Sequence, residues 1–483
     1  MKAAPASPGT AGLILLLTAQ MLPLIDTSIT NVALESITQS LASTPTDLEL
    51  IVALYGVAFA VCLAVGSKLG DNYGRRKMLL SGVVIFGIAS LFCGLAGSVT
   101  ALLISRTIQG IGAALIVPQI LATLHVTLSG KAHARAISLY SGIGGIAFII
   151  GQVGGGWLVS ADIAGLGWRN AFFINVPVCL LVLAFSIQVI PETRSVSRSR
   201  IDGQGTLLLA LILCCLLFPL ALGPVLHWPA ATFVSLLAVI PLTVLLGINA
   251  LQQQKKGLKP LLPPRLLALP GVRFSLLIAA MFFSCWSGFM FCMALTLQAG
   301  AGMGPLDSGN SFVVLGISYF LSALYAPRLI ARFSLPPVLL VGILIQISGV
   351  ALLIATLYWQ QSQLTVFSIA PGTLLMGVGQ AVIVNAFYRI GMRDIATADA
   401  GAGSAILSTL QQATLGLGPA LAGVLYQHLH HSTNGSYADA MIGFLIAEAG
   451  VMLLLALLTL IKRRGLQLAQ SHADSRPTVA AAD

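Results

Sequence analysis

Residues 66–82 read GSKLGDNYGRRKMLLSG. Lys68, Asp71, Arg75, Arg76 and Lys77 crowd into this stretch, in a chain where charged residues make up only 8% and hydrophobic residues 57%. A soluble protein would carry about 25% charged residues. On either side lies an apolar run of about the twenty residues that an α-helix needs to cross a bilayer. The segment therefore reads as a short polar junction between two membrane-spanning helices.

Outward from this junction the same alternation recurs along all 483 residues. It predicts fourteen spans, over 11–34, 48–69, 78–98, 101–124, 136–159, 170–190, 204–223, 229–251, 273–297, 309–331, 336–357, 364–389, 401–426 and 440–461. With fourteen spans, the loops 70–77, 125–135, 191–203, 252–272, 327–335 and 389–400 and both tails fall on one side. All but two of the twenty-five Lys and Arg lie on or next to that side, the exceptions being Arg106 and Arg169. This is the positive-inside pattern, which predicts a multi-pass protein of the cell membrane with both termini cytoplasmic. The formal net charge of +10 then has a topological origin. A lipid bilayer is the expected surrounding, and no nucleic-acid partner is expected.

The first apolar run leads into SITNVALE and not into a small-residue cleavage site, so no removable signal peptide is expected. The seven cysteines, at 62, 93, 179, 214, 215, 285 and 292, sit in apolar runs and read as small buried hydrophobes. The linker 252–272, QQQKKGLKPLLPPRLLALPGV, alternates basic and Leu/Pro-rich patches, as if lying along the inner membrane surface. The tail 465–483 is small and polar and is expected to be disordered.

The opening segment has a second, weaker copy. Residues 326–342 read APRLIARFSLPPVLLVG, aligned at Leu69/Leu329, Leu79/Leu339 and Gly82/Gly342. Parallel repeats of this kind build secondary transporters whose substrate site lies between the halves near mid-membrane. The expected organisation is a six-helix bundle over 1–192, an inserted helix pair and linker over 193–272, and a second six-helix bundle over 273–464.

These motifs resemble the major facilitator superfamily and, within it, the fourteen-helix drug:proton antiporters, over nearly the whole chain. SKLGDNYGRRKML resembles the superfamily's cytoplasmic loop motif at Asp71, Gly74, Arg75 and Arg76, with Ser67 and Asn72 departing from it. The resemblance implies a charge latch holding the cytoplasmic side closed; the plainer reading is a topogenic basic loop. LISRTIQGIGAALIVP, 103–118, matches the family's fourth-helix motif at Arg106, Gln109, Gly110, Gly112 and Ala114. GIGGIAFIIGQVGGGWL, 142–158, resembles the antiporter glycine motif at Gly151, Gly155 and Gly156, with Gln152 where Pro is usual. Such spacing lets a facing helix approach closely. WRNAFFINVP (168–177), LQAGAGMGPLDSG (297–309) and LPLIDTSITNVALE (22–35) resemble segments of the fourteen-helix group.

The last of these places Asp26 deep in the first apolar run, where a carboxylate costs about 2.5–3.5 kcal/mol on insertion scales. Arg106, one turn inside the fourth span, must pair, hydrate or snorkel. Both fall at similar depth on helices that line one cavity in this fold, so they form a plausible pair. Burial disfavours the charged carboxyl and a guanidinium favours it, so such an acid can load and release a proton as its surroundings change. The reading is proton-coupled multidrug efflux by alternating access, of lipophilic cations or amphiphiles, driven by a proton gradient with no cofactor and no metal. The alternatives are a proton-linked uptake symporter on the same fold and a non-transporting sensor or scaffold. A structural acid that only holds the first helix is the plainer reading of Asp26.

Candidate cavity residues are Tyr55, Gln109, Phe282, Trp286, Phe289, Met290, Gln380 and Asn385. The aromatic run MFFSCWSGFMFCM, 281–293, reads as a soft cavity wall or as lipid-facing surface. Glu448 reads as a packing or oligomer contact, although a monomer is expected. His428, His430 and His431 could bind metal or sense pH, but a solvated loop is the simpler account. SGKA at 129–132 lacks the first Gly and the final Ser/Thr of a phosphate loop. Gly142 and Gly144 lie inside a span, which excludes a dinucleotide fold there. No enzyme activity is expected.

Overall fold

The computed structural model describes residues 8–474 apart from 129, 195–199, 224, 259 and 396–399. The described residues are helical throughout, without strands. The helices are α1 (Gly9–Leu41), α2 (Pro45–Tyr73), α3 (Arg75–Leu95), α4 (Val99–Thr127) and α5 (Gly130–Ile149). A π turn, Ile150–Gly154, carries α5 on into Gly155–Ser160. Then come α6 (Gly167–Val189), α7 (Gly203–Leu222), α8 (Ala230–Lys255) and α9 (Pro270–Gly300). The last five are α10 (Val313–Phe333), α11 (Leu335–Gln360), α12 (Val366–Arg393), α13 (Ala400–Ser432) and α14 (Tyr437–Asp474).

Thirteen of these are long and apolar enough to cross a membrane. The fourteenth, α13, has the length but carries Gln411, Gln412, Thr409, Thr414 and Gln427. It can be this polar because it packs between α2, α7 and α9. Among the described residues there are thus fourteen long helices, thirteen of which have the length and hydropathy of a membrane span. Local chemistry sets their ends. At the start of α2, Thr44 and Asp47 form a reciprocal capping box, with Pro45 in the first turn.

Two bundles of matching plan carry the fold. In the first, α4 packs on α2 and α3, and α3 packs on α6; in the second, α12 packs on α10 and α11, and α11 packs on α14. The repeat glycines occupy equivalent places. Gly82 faces the Gly112 carbonyl of α4, and Gly342 faces the Gly379 carbonyl of α12. The two bundles meet along α2 with α13 and α5 with α10. Gly56 and Gly416 bring the backbones of α2 and α13 together. The inserted α7 lies against α2 and α13, and α8 packs on α7 from outside.

The cores show how the two bundles are joined. The basic loops define one face of the bundle. Toward the other face a single core joins both bundles, with Ile29, Ile37, Leu48 and Ile51 against Phe289, Phe291, Tyr426 and Leu445. Toward the basic face each bundle has its own core: Leu16, Phe86 and Ile116 in one, Phe274, Leu339 and Phe387 in the other. A further core runs along α2, α7 and α13 and also joins the bundles, with Ala53 and Ala60 against Leu213 and Leu417.

Two terminal and linker expectations change. The linker 252–272 does not simply lie along a surface: Leu261 is buried with α2, α7 and α13, and Leu266 packs beside Val272 and Ile406. The α14 helix continues past residue 464 to Asp474, because GLQLAQ and the following His-Ala are mostly tolerant of helix. Residues 475–483 lie outside the described residues.

Asp202 fastens the insertion. Its buried carboxylate accepts from the Gly205 and Leu261 backbone N–H groups (2.8 and 2.9 Å), from Asn249 (3.2 Å) and from Gln253 (2.5 Å). Burial pulls its pKa upward, but these donors outweigh that and hold it below the ordinary carboxylate value. Asp202→Asn is expected to cost about 1–3 kcal/mol and to lower Tm. The sign of its pH dependence follows from the lowered pKa. The contribution is fully present above the unfolded value, about 3.9, and is lost as pH falls through the folded one. The Tm gap between wild type and variant should stay constant from neutrality to about pH 5 and narrow below about pH 4.

Candidate functional site

Asp26 and Arg106 are both fully buried and form an ion pair. The pair sits between α1 and α4, and each partner is held by further groups. Gln109 Nε2 donates to Asp26 Oδ1 at 2.7 Å, and Asn175 Nδ2 donates to the same oxygen at 3.0 Å. Arg106 Nη1 also donates to Gln109 Oε1 (2.5 Å), and Nε donates to the Ile51 carbonyl (3.1 Å). Ser90 Oγ accepts from Gln109 and Asn175. The guanidinium lies 4.3 Å from the Tyr55 ring centroid, and the Tyr55 hydroxyl donates to the Pro23 carbonyl at 3.3 Å. Arg106 Nη2 makes no hydrogen bond; the Tyr55 face is what the guanidinium meets there.

Such an arrangement can hold an acid dry and oriented. Thr27, the next residue of α1, is exposed. Burying an ion pair with partly unmet donors is no way to gain stability, and ionisable residues inside membrane spans mark candidate functional sites. Tyr55, Gln109, Asp26 and Arg106, all expected, come together here. Asn175 and Ser90 were not expected. Asn175 lies in the INVP segment, and the only available signal was an amide inside an apolar run.

The loop after α2 is ordered by its own bundle. Gly74 ends the helix at φ +116°, a backbone conformation that other residues rarely take. Asp71 pairs with Arg75 at 2.7 Å. Arg76 donates to the Ile187 and Ile190 carbonyls at 3.0 Å, and its backbone N–H donates to Glu192 at 3.1 Å. Asp71, Arg75 and Arg76 thus hold the α3 start to the end of α6, and among the described residues none of these contacts reaches the other bundle. Gly74→Ala would strain φ and put a Cβ 2.6 Å from the Glu192 carboxylate. It is expected to cost about 1–2 kcal/mol, read as a Tm lowered by a few degrees with membrane insertion unchanged.

In α5 the expected close approaches occur. Gly151 faces Ser28 and the Ile25 carbonyl, Gly155 faces Ile29, and Gly156 faces Pro305 and Leu306 of the other bundle. The π turn Ile150–Gly154 surrounds Gln152, the residue standing where Pro is usual. An irregular turn thus replaces the irregularity a proline would make.

The other cavity candidates divide. Phe282 packs in the second bundle's core beside Phe283, and Phe289 and Met290 lie in the shared core. Aromatic bulk fills a helix interface as readily as it lines a cavity, and here packing takes it. Gln380 is buried with neither side-chain amide atom hydrogen-bonded. Trp286 and Asn385 are half-buried. The ring of Trp286 lies tilted to that of half-buried Tyr319, with centroids 5.8 Å apart. Tyr388 donates to Gln411 at 2.5 Å, and Tyr140 and Tyr319 lie within electrostatic reach of Tyr388. Tyr140, Tyr319, Tyr388 and Gln411 thus come near one another from both bundles, a grouping that single tyrosines scattered over three helices did not announce. An apolar groove of about 440 Å³, lined by Leu321, Tyr325, Val341 and Val378, opens elsewhere, on the outer surface of α10–α12.

Glu448 is 3% exposed and accepts from Gln346 at 3.2 Å, an internal packing contact and not an oligomer surface. His428, His430 and His431 end α13, and the His430 ring lies tilted against Tyr437 with centroids 4.3 Å apart. No group of three or more His, Cys, Asp or Glu suited to a metal occurs among the described residues.

The sequence profile of the Major Facilitator Superfamily matches residues 16–419. The chain is 30% identical over 416 residues to a "Probable actinorhodin transporter" of Streptomyces coelicolor, covering 86% of this chain and 72% of that protein. It is also 30% identical to a "Tetracenomycin C resistance and export protein" of Streptomyces glaucescens, over 84% of this chain and 73% of the relative. In fold it is similar to a crystal structure of a bacterial homologue of the human lysosomal transporter Spinster, inward-facing and unoccupied. The TM-score is 0.66 at 18% identity, over 95% of this chain and 97% of that one.

Proposed function

The chain belongs to the Major Facilitator Superfamily, and we propose that it is a proton-coupled drug efflux transporter of the fourteen-helix antiporter type. It exports lipophilic small molecules, cationic or amphiphilic, and takes its energy from the proton gradient with no cofactor. The basic face is cytoplasmic, and the separate cores of the two bundles toward it support a cleft that faces inward. The observation that carries this reading is the buried Asp26–Arg106 cluster, an ionisable site next to a cleft in a chain whose relatives carry export and resistance names.

In the cycle, Asp26 takes a proton from the outer side and releases it inward, each transit coupled to outward passage of a drug. The membrane potential contributes about 2.3 kcal/mol per elementary charge per 100 mV. Arg106 holds the acid in register. Trp286, Tyr319, Tyr388 and Tyr140 supply ring faces for a lipophilic cation, and Asn385 and Gln411 supply amides. Asp71, Arg75 and Arg76 form the inner latch when the basic face closes. The glycines of α5 allow α1 and the second bundle to slide past each other. The protein works as a monomer.

A susceptibility panel of antibiotics and cationic dyes, with and without expression, tests the efflux reading. Inverted vesicles given an imposed pH gradient test direction and coupling. Accumulation of drug inside them when the lumen is acid supports antiport, and accumulation only with substrate and proton moving together assigns uptake symport.

A further inference from the structure

Glu49 lies in the outer half of α2, fully inside the seam between the two bundles. It is 1% exposed. Gln427 of α13, in the other bundle, donates to its Oε1 at 2.7 Å, and its Oε2 has no hydrogen-bond partner. Its neighbours Leu48, Ile51, Ala422 and Tyr426 belong to the core that seals this face. Gly423 provides the room: a Cβ there would collide with the carboxyl.

No ion pair reaches Glu49 among the described residues. On α4, Arg106 is engaged by Asp26 of α1, by Gln109 and by the Ile51 carbonyl. On α2 itself, Asp47 closes the cap at Thr44, and Tyr55 lies under Arg106. The thiol of Cys292 on α9 is within electrostatic reach, and Tyr426 of α13 is bonded to Thr296. Beyond these, α13 ends in His428, His430 and His431, α7 carries Cys214 and Cys215, and Glu448 lies on α14. A carboxylate sealed in an apolar seam with one amide donor and no cation is costly, and it neutralises instead. When the outer ends of α2 and α13 part, the same group meets water and can ionise.

We propose that Glu49 is a second proton-binding group, which lets the outer face seal only when it is protonated. The inference rests on the alternating-access reading but not on Asp26 as the coupling acid. Protonation of one group can shift the closed-to-open ratio at most about tenfold per pH unit.

The test is double electron–electron resonance on the full chain in nanodiscs, with the native cysteines replaced and spin labels at Gln39→Cys and His431→Cys, both exposed at the outer ends. The parent should show a short distance at pH 5 and a growing longer population toward pH 9. Glu49→Gln, which keeps the Gln427 contact without the charge, should stay short at every pH. Gly423→Ala, which displaces the carboxyl, should show the longer population already at pH 5. Asp26→Asn should keep the parent's shift. A parent-like shift in Glu49→Gln, or no shift in the parent, overturns the proposal. A shift kept by Glu49→Gln and lost in Asp26→Asn also overturns it, while leaving the coupling role of Asp26 intact. Full efflux in Asp26→Asn with a pH-insensitive Glu49→Gln removes the Asp26 reading and leaves this one standing.

Discussion

Asp26→Asn should abolish active efflux while leaving the chain folded and inserted. The substitution keeps the size of the side chain and one carbonyl oxygen, which can accept either from Gln109 and Asn175 or from Arg106, because these donate to different oxygens of Asp26. It removes the only group in the cluster able to carry a proton through the cycle. Arg106 cannot respond by losing its own proton, so a buried cation is left with fewer partners. Removing one partner of a buried pair typically costs about 3–5 kcal/mol. Here the Ile51 carbonyl, Gln109 Oε1 and the Tyr55 ring remain around the guanidinium, so the cost should fall below that range. Drug resistance should drop to that of cells lacking the transporter, at matched membrane abundance. Facilitated, gradient-independent movement could survive, since the cleft is untouched. Full efflux by this variant would rule out Asp26 as the coupling acid.

Much of this site was legible because charge is so scarce in the apolar runs. An Asp and an Arg at similar depth, on helices one and four of a repeat-built chain, had few partners but each other. The positions of the long helices were legible for a related reason: basic loops fall on one side only if fourteen spans are counted, which includes α13, a helix that hydropathy alone passes over. Other parts were hidden for physical causes. Ser90 and Asn175 are uncharged residues of ordinary type, and only the tertiary packing of α3 and α6 brings them to Asp26. Phe282, Phe289 and Met290 read equally well as cavity wall or core, because apolar bulk serves both. Glu49 lies one residue from the expected start of its span and beside the capping Asp47, so by position it reads as interfacial. Its burial comes from α13, a helix nearly four hundred residues away in sequence.

The coupling between positions 26 and 106 should itself be large. In a double-mutant cycle, Arg106→Gln strands the carboxyl and Asp26→Asn strands the guanidinium, whereas the double variant leaves two neutral amides in the same volume. If the pair is one electrostatic unit, either single change costs more alone than it does after the other. For charged groups in direct contact, interaction energies of about 0.5–3 kcal/mol are usual, and full burial of both side chains places this pair toward the upper end. The double variant should therefore regain stability relative to Arg106→Gln, read as a higher Tm in the same detergent. It should remain inactive, because restoring charge balance does not restore a proton carrier. Additive Tm losses would mean that the two charges are held separately by Gln109, Asn175 and the α2 backbone. Restored efflux in the double variant would place the transported proton on another group, and Glu49 would be the first to examine.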